Sequence, residues 1–168
     1  MPRLKRIAVL ANPQHPGDQA ERRASEAAAK AVGLEIEYFE FADVTQLDQA
    51  LEAARNSRNE AALMFPVQSV NSNGARIAAW SIRNRIPTVS GWSRFAEVGN
   101  LMTYGANMRE THRRLATFVD RILKGAKPAE LAVEIPMHFE LVINLKAAKA
   151  LGLAVPQSVL LRADRVIE

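Results

Sequence analysis

Phe139-Glu140-Leu141-Val142-Ile143-Asn144, followed by Leu145-Lys146-Ala147-Ala148-Lys149-Ala150-Leu151-Gly152, is the stretch whose reading decides the fold. Six residues rich in β-branched and apolar side chains predict a strand, and the Ala- and Leu-rich run after Asn144 predicts a helix over Leu145 to Leu151. Gly152 accommodates the left-handed conformation that ends a helix, and Pro156 suits the first turn of a further one, expected to run from Gln157 to Glu168. A tail with this much punctuation belongs to a packed domain.

The same alternation extends backwards. Leu4 to Ala11 is an apolar run of strand length, and Asp18 to Val32 is Ala-rich with Gly33 just beyond it. Leu34 to Phe41 alternates apolar with acidic residues, as a strand with one wetted face does. Thr45 is placed to cap a helix whose buried stripe is Leu47, Ala50, Leu51 and Ala54. Ala61 to Phe65, Gly74 to Arg85 and Thr88 to Ser90 then read as strand, helix and strand. Such alternation implies crossover connections and an α/β fold, a doubly wound parallel sheet of flavodoxin-like shape. Beyond Gly91 come a strand at Leu101 to Tyr104, a long helix at Met108 to Leu123, and an extended linker from Pro128 to Pro136.

With 168 residues and 48% hydrophobic composition, the chain is long enough for one domain, 1–168, and short for two. It has no cysteine, so neither a disulfide framework nor a thiolate metal site is available. The five-residue apolar run Ile7 to Ala11 is too short for a secretory signal or a membrane span, so the chain as written is expected to be neither exported nor membrane-spanning. A net charge of +4 raises nucleic acid as a partner. Against that, Arg109, Arg113, Arg114, Arg121, Lys124 and Lys127 lie mostly on a helix broken by Glu110 and Asp120, with no aromatic platform; a solvated helix face is expected, and no nucleic acid.

Several segments resemble one family. Phe139 to Lys146, the Ala-Lys-Ala-Leu-Gly-Leu run, the Pro-Gln-Ser turn and the closing Arg-Ala-Asp-Arg-Val-Ile-Glu are similar to the C-terminus of tryptophan/tyrosine-type ABC-transporter substrate-binding proteins. Gly99-Asn100-Leu101-Met102-Thr103-Tyr104-Gly105 resembles that family's Gly-Gly-Leu-Met-Ser-Tyr-Gly, and Val119 to Ala129 resembles its helix end. The resemblance covers essentially the whole chain and is strongest after Arg85. It implies the type I periplasmic binding protein fold, two hinged lobes of which this chain is the C-terminal half. The 101–125 segment would then belong to the first lobe, outside this chain. It further implies a solute-binding component of an ABC importer, a small-molecule ligand such as an amino acid or related carboxylate, an ABC permease as partner, and a periplasmic location; the chain as written, lacking a signal, would be cytoplasmic. The alternative is a truncated product acting through self-association or through pairing with a separate first lobe.

In an open parallel sheet ligands sit beyond the carboxyl ends of the strands. The loop Asn12 to Asp18 offers short polar groups at a helix start, an anion site or simply a turn and a cap; Asn12 and His15 are its candidates. In the resembled family this loop faces ligand, and Asn12-Pro13 matches its Asn-Pro, whereas His15 and Gly17 depart from it. Gln68, Ser69 and Asn71 offer amides and a hydroxyl suited to a zwitterion, or equally to capping the next helix. Trp92 and Phe95, with Arg94, make an apolar wall beside a cation, or alternatively the packing of a hinge. Tyr104 lies at the lobe crossover in the resembled family and is otherwise a structural tyrosine. His15, His112 and His138 hold no metal-ligand spacing to an acid, and no nucleophile elbow, phosphate loop or dinucleotide fingerprint occurs, so no metal, no cofactor and no enzymatic activity are expected. The amphipathic helix at Met108 to Leu123 leads us to expect a homodimer.

Overall fold

The computed structural model describes residues 4–168. Its strands β1 (Arg6–Ala11), β2 (Glu35–Glu40), β3 (Ala61–Met64), β4 (Thr88–Ser90), β5 (Met102–Ala106), β6 (Phe139–Asn144) and β7 (Arg165–Ile167) form one sheet in the order β2-β1-β3-β4-β5-β6-β7. The pairs from β2 to β5 are parallel. β6 runs antiparallel to β5, with Thr103 opposite Val142, and β7 returns parallel to β6. The α/β class is as the alternation implies, although the sheet is mostly rather than wholly parallel. The reversal follows from the long excursion between β5 and β6, which brings the chain back from the carboxyl end of the sheet.

Helices α1 (Asp18–Val32), α2 (Val44–Asn56), α3 (Gln68–Ser72), α4 (Gly74–Asn84) and α5 (Ser93–Glu97) connect the parallel strands. Gly33, at φ 71°, ends α1. Alternate residues of β1 point to opposite faces. Ala8 and Leu10 join Phe41, Leu47, Leu51, Met64 and Ile77 in the main core under α2 and α4, whereas Val9 and Ala11 join Phe65 on the other face. α1 covers that second face, where the Tyr38 hydroxyl donates to the Arg22 carbonyl oxygen.

Three expectations need correction. Asp43, not Thr45, caps α2: its carboxylate accepts from the Thr45 and Gln46 N–H groups at 2.8 and 3.0 Å, because the helix begins at Val44 and the capping side chain must precede it. The tail does not stay helical to Glu168. Helix α7 (Leu145–Ala150) stops before Gly152 as read, but α8 is a single turn, Gln157–Leu160, and the chain then becomes β7. The free edge of β6 decides this, since Asp164 gives its N–H to the Leu141 carbonyl and takes the Leu141 N–H on its carboxylate, setting a register in which Val166 lies opposite Ile143. The strand of the 101–125 segment, finally, is built into this sheet between β4 and β6.

The helix of that segment, α6 (Met108–Leu123), is different: it contains no buried residue. Leu115, Val119, Ile122 and Leu123 are exposed on it. The chain from Pro128 onward makes one 3₁₀ turn at Pro128–Glu130 and then runs back beside the helix, where Glu134 grips the Arg114 guanidinium with contacts of 2.6 to 3.0 Å.

Candidate functional site

The loop after β1 folds upon itself. The Asn12 side-chain oxygen accepts from Gln14 N–H at 2.9 Å, the Asn12 carbonyl from His15 N–H, and the His15 carbonyl from Asp18 N–H. His15 Nδ1 accepts from Gly17 N–H at 3.2 Å, and the Gly17 carbonyl takes both Ala20 and Glu21 N–H. The donors that would greet an anion at the start of α1 are thus largely used within the loop. Two carboxylates, Asp18 and Glu21, already occupy the first turn, where the helix dipole favours negative charge. Asp18 is buried and bound to Arg22 at 2.7 Å, and the same guanidinium reaches Glu40 at 2.7 Å and lies over the Tyr38 ring. Burial pushes the Glu21 carboxyl above its usual range, Asp18 adding to the rise and His15, 3.8 Å away, opposing it. This arrangement suits a cationic or neutral ligand group better than the anion the loop sequence suggests.

The loop after β3 is shaped otherwise. Pro66 and Val67 lead into α3, a five-residue turn of helix whose Ser69 carbonyl accepts from the Asn73 side chain at 2.8 Å. The exposed Gln68 donates its amide to Ser72 Oγ. Ser69 Oγ and Asn71 Oδ1 are shielded from solvent yet have no hydrogen-bond partner, a state that costs about 1–3 kcal/mol per group until a partner arrives. Asn71 lines a narrow crevice, too tight to hold a water molecule as it stands, together with Pro66, Val70, Ser90, Trp92 and Phe95.

Trp92, half-buried just before α5, lines the same crevice as Asn71. Phe95 lines the same crevice from beneath, but at 1% exposure it belongs to the main core, because it sits within the first turn of α5 on the face toward the sheet. Tyr104 is 63% exposed and stacks on Phe139, ring centres 6.0 Å apart, across the antiparallel β5–β6 pair. The structure brings together Asn71 and Trp92, and leaves His15 and Tyr104 in separate surroundings.

What binds these loops together escapes a reading of single motifs. Gly91 follows β4, and a side chain there would meet Pro66 at 3.2 Å. A Cβ on Gly105 would fall 2.0 Å from the Gly91 carbonyl oxygen. Behind them Asn100, fully buried, accepts from Thr88 Oγ1 and donates to the carbonyls of Gly74 and Phe95. Its sequence signal is only an asparagine after a glycine, which reads as a turn. Among the described residues no group of three His or acidic side chains is placed to hold a metal.

A strand-end crevice on an open, mostly parallel sheet is the architecture of one lobe of a periplasmic binding protein. A family model described as "ABC transporter substrate binding protein" matches residues 1–167, and the chain belongs to that family. Its members are binding proteins, not catalysts. No curated protein matches. Among solved structures, an ABC domain from Streptococcus pneumoniae in complex with L-Trp superposes with a TM-score of 0.91 at 24% identity, over 99% of this chain and 56% of that one. A conserved domain protein from Vibrio cholerae gives 0.91 at 22% identity, over 99% and 56%. The ligand-free, open structure of a substrate-binding protein from Clostridium difficile gives 0.72 at 19%, over 99% and 55%. At these identities the likeness establishes the fold. The chain spans about half the length of the structures it matches.

Proposed function

We propose that this chain supplies one lobe of the solute-binding component of an ABC importer, working in the periplasm with a membrane permease. The strand-end loops form one wall of the ligand cleft, with Ser69, Asn71 and Trp92 as its central contacts and Asn12, His15, Gln68 and Tyr104 at its margins. The observation that carries this reading is the pair of shielded, unpartnered oxygens of Ser69 and Asn71, the latter in the crevice of Trp92, on a chain of this family. The ligand class is a small polar molecule such as an amino acid or related carboxylate. A zwitterion fits the wall: the ammonium finds acceptors, and Trp92 offers an apolar surface.

One wall gives half the contact of a closed cleft. The isolated chain should therefore bind free amino acids, L-tryptophan among them, no tighter than millimolar. Calorimetry against a panel of amino acids tests this, and micromolar binding by a monomer would sink the half-site reading. With the other lobe of the two-lobed architecture joined to it, the chain should bind tightly, and Asn71→Ala should then weaken binding.

A second reading rests on α6. Among the described residues, nine of the thirteen exposed large apolar side chains lie from Tyr104 to Phe139 inclusive. Each such side chain gains about 1.5–3 kcal/mol on burial, and in the two-lobed architecture α6 would pack on the other lobe. Where that lobe is not supplied, a second copy of the chain covers the face, giving a homodimer.

A further inference from the structure

α2 and α4 pack side by side over the main core, and a groove of about 400 Å³ runs between them. Its walls are Asp48, Leu51 and Glu52 from α2, and Arg76, Trp80 and Arg83 from α4. None of these residues belongs to the strand-end loops. The spacing explains the lining: Arg76, Trp80 and Arg83 stand at i, i+4 and i+7, one stripe of the helix, and Asp48 and Glu52 stand at i and i+4 on the facing one.

The lining holds two acids and two arginines, but one of the acids is engaged by an arginine outside the groove. Arg76 is taken by Asp48. Glu52 is drawn to Arg55, on its own helix, at 2.9 Å. Arg83 has no ion pair among the described residues and is the cation left over. Trp80 is only 3% exposed, and its indole N–H has no acceptor. Both residues line the groove, and since a buried donor is ordinarily paired, the orphaned indole N–H marks a missing acceptor. Two donors and one surplus positive charge call for one anionic acceptor of single charge. Leu51 and Ala79 add apolar surface for a short carbon body.

We propose that the α2–α4 groove is a binding site for a small monocarboxylate, the carboxylate oxygens bridging the Arg83 guanidinium and the Trp80 indole N–H, with the carbon chain against Leu51 and Ala79. A dianion such as phosphate is disfavoured, since Asp48 and Glu52 flank the groove and only one positive charge is unmatched. The site is independent of the cleft and stands whether or not the strand-end loops bind an amino acid.

The test is a nitrogen–proton correlation spectrum of the chain titrated with sodium butyrate, with sodium chloride at matched ionic strength as control. The protein has two tryptophans, so two indole signals, and Trp92→Phe assigns them by elimination. Butyrate should move the Trp80 signal downfield along a saturable curve, as a hydrogen bond to a carboxylate forms, while chloride does not. Arg83 is exposed, so Arg83→Gln should fold normally; it should weaken butyrate about tenfold through loss of a charge-assisted bond, with Arg83→Lys intermediate. A butyrate shift no larger than that of chloride overturns the proposal, and so does an affinity unchanged in Arg83→Gln.

Discussion

At Gly105 a methyl group would stand 2.0 Å from the Gly91 carbonyl oxygen and 2.8 Å from its carbon. Backbone cannot step aside as the end of a side chain can, so Gly105→Ala must part β5 from the end of β4, at about 1–3 kcal/mol for a forced overpacking. Gly74 makes a useful comparison: a Cβ there meets Val98 Cγ2 at 2.8 Å, but that methyl can rotate away. Thermal unfolding should place Gly105→Ala clearly below Gly74→Ala, and equal melting temperatures would remove the argument. The sequence Thr103-Tyr104-Gly105 gives no hint of this contact. The obstacle lies on another strand, and no local rule requires the glycine.

At the element scale, α2 hangs on its cap. The Asp43 carboxyl is held below its usual value of 3.8, first by the backbone N–H of Gln46 and then by Thr45. A carboxyl depressed in the folded state contributes stability that is complete above the unfolded pKa, and that is lost as pH falls through the folded one. Acidification from about pH 4 downward should therefore weaken α2, with Asp43→Asn flattening that part of the stability-pH curve while keeping a capping oxygen. Denaturant melts at stepped pH measure this; an identical pH slope in the variant would show that Asp43 does not titrate as described. The helix was legible from its apolar stripe, but its first residue was not. Asp43 and Thr45 are both good caps, and only the position of the first helical turn chooses between them.

For the molecule as a whole, the uneven distribution of apolar surface decides behaviour. The main core is closed by Phe41, Leu47, Leu51, Met64, Ile77 and Phe95, whereas α6 and the segment running beside it, through Val133 at 95% exposure, present apolar side chains to water. Light scattering coupled to size exclusion should show a dimer at tens of micromolar. Phe118→Asp combined with Ile122→Asp should return it to monomer. A clean wild-type monomer, or a dimer untouched by the two aspartates, would place the stripe's partner elsewhere.

By itself the sequence determined what short-range physics controls. The α1 stop at Gly33 and the α7 stop near Gly152 need only a residue tolerant of positive φ, and the alternation of β1 through β4 with their helices is written in local hydrophobic period. The strand-end loops followed from that alternation, which is why Asn71 and Trp92 were candidates before their shared crevice was visible. Only the tertiary structure decided the rest. Arg165-Val166-Ile167 is a strand because β6 offers an unpaired edge, Phe95 is a core residue because α5 turns it toward the sheet, and the start of α1 is unsuited to an anion because Glu40 of β2 joins Asp18 in taking up the charge of Arg22. Each of these outcomes depends on groups distant in sequence or on the packing of whole elements, and hydrogen-bond pairing, burial and charge balance are settled between such groups only once the chain has folded.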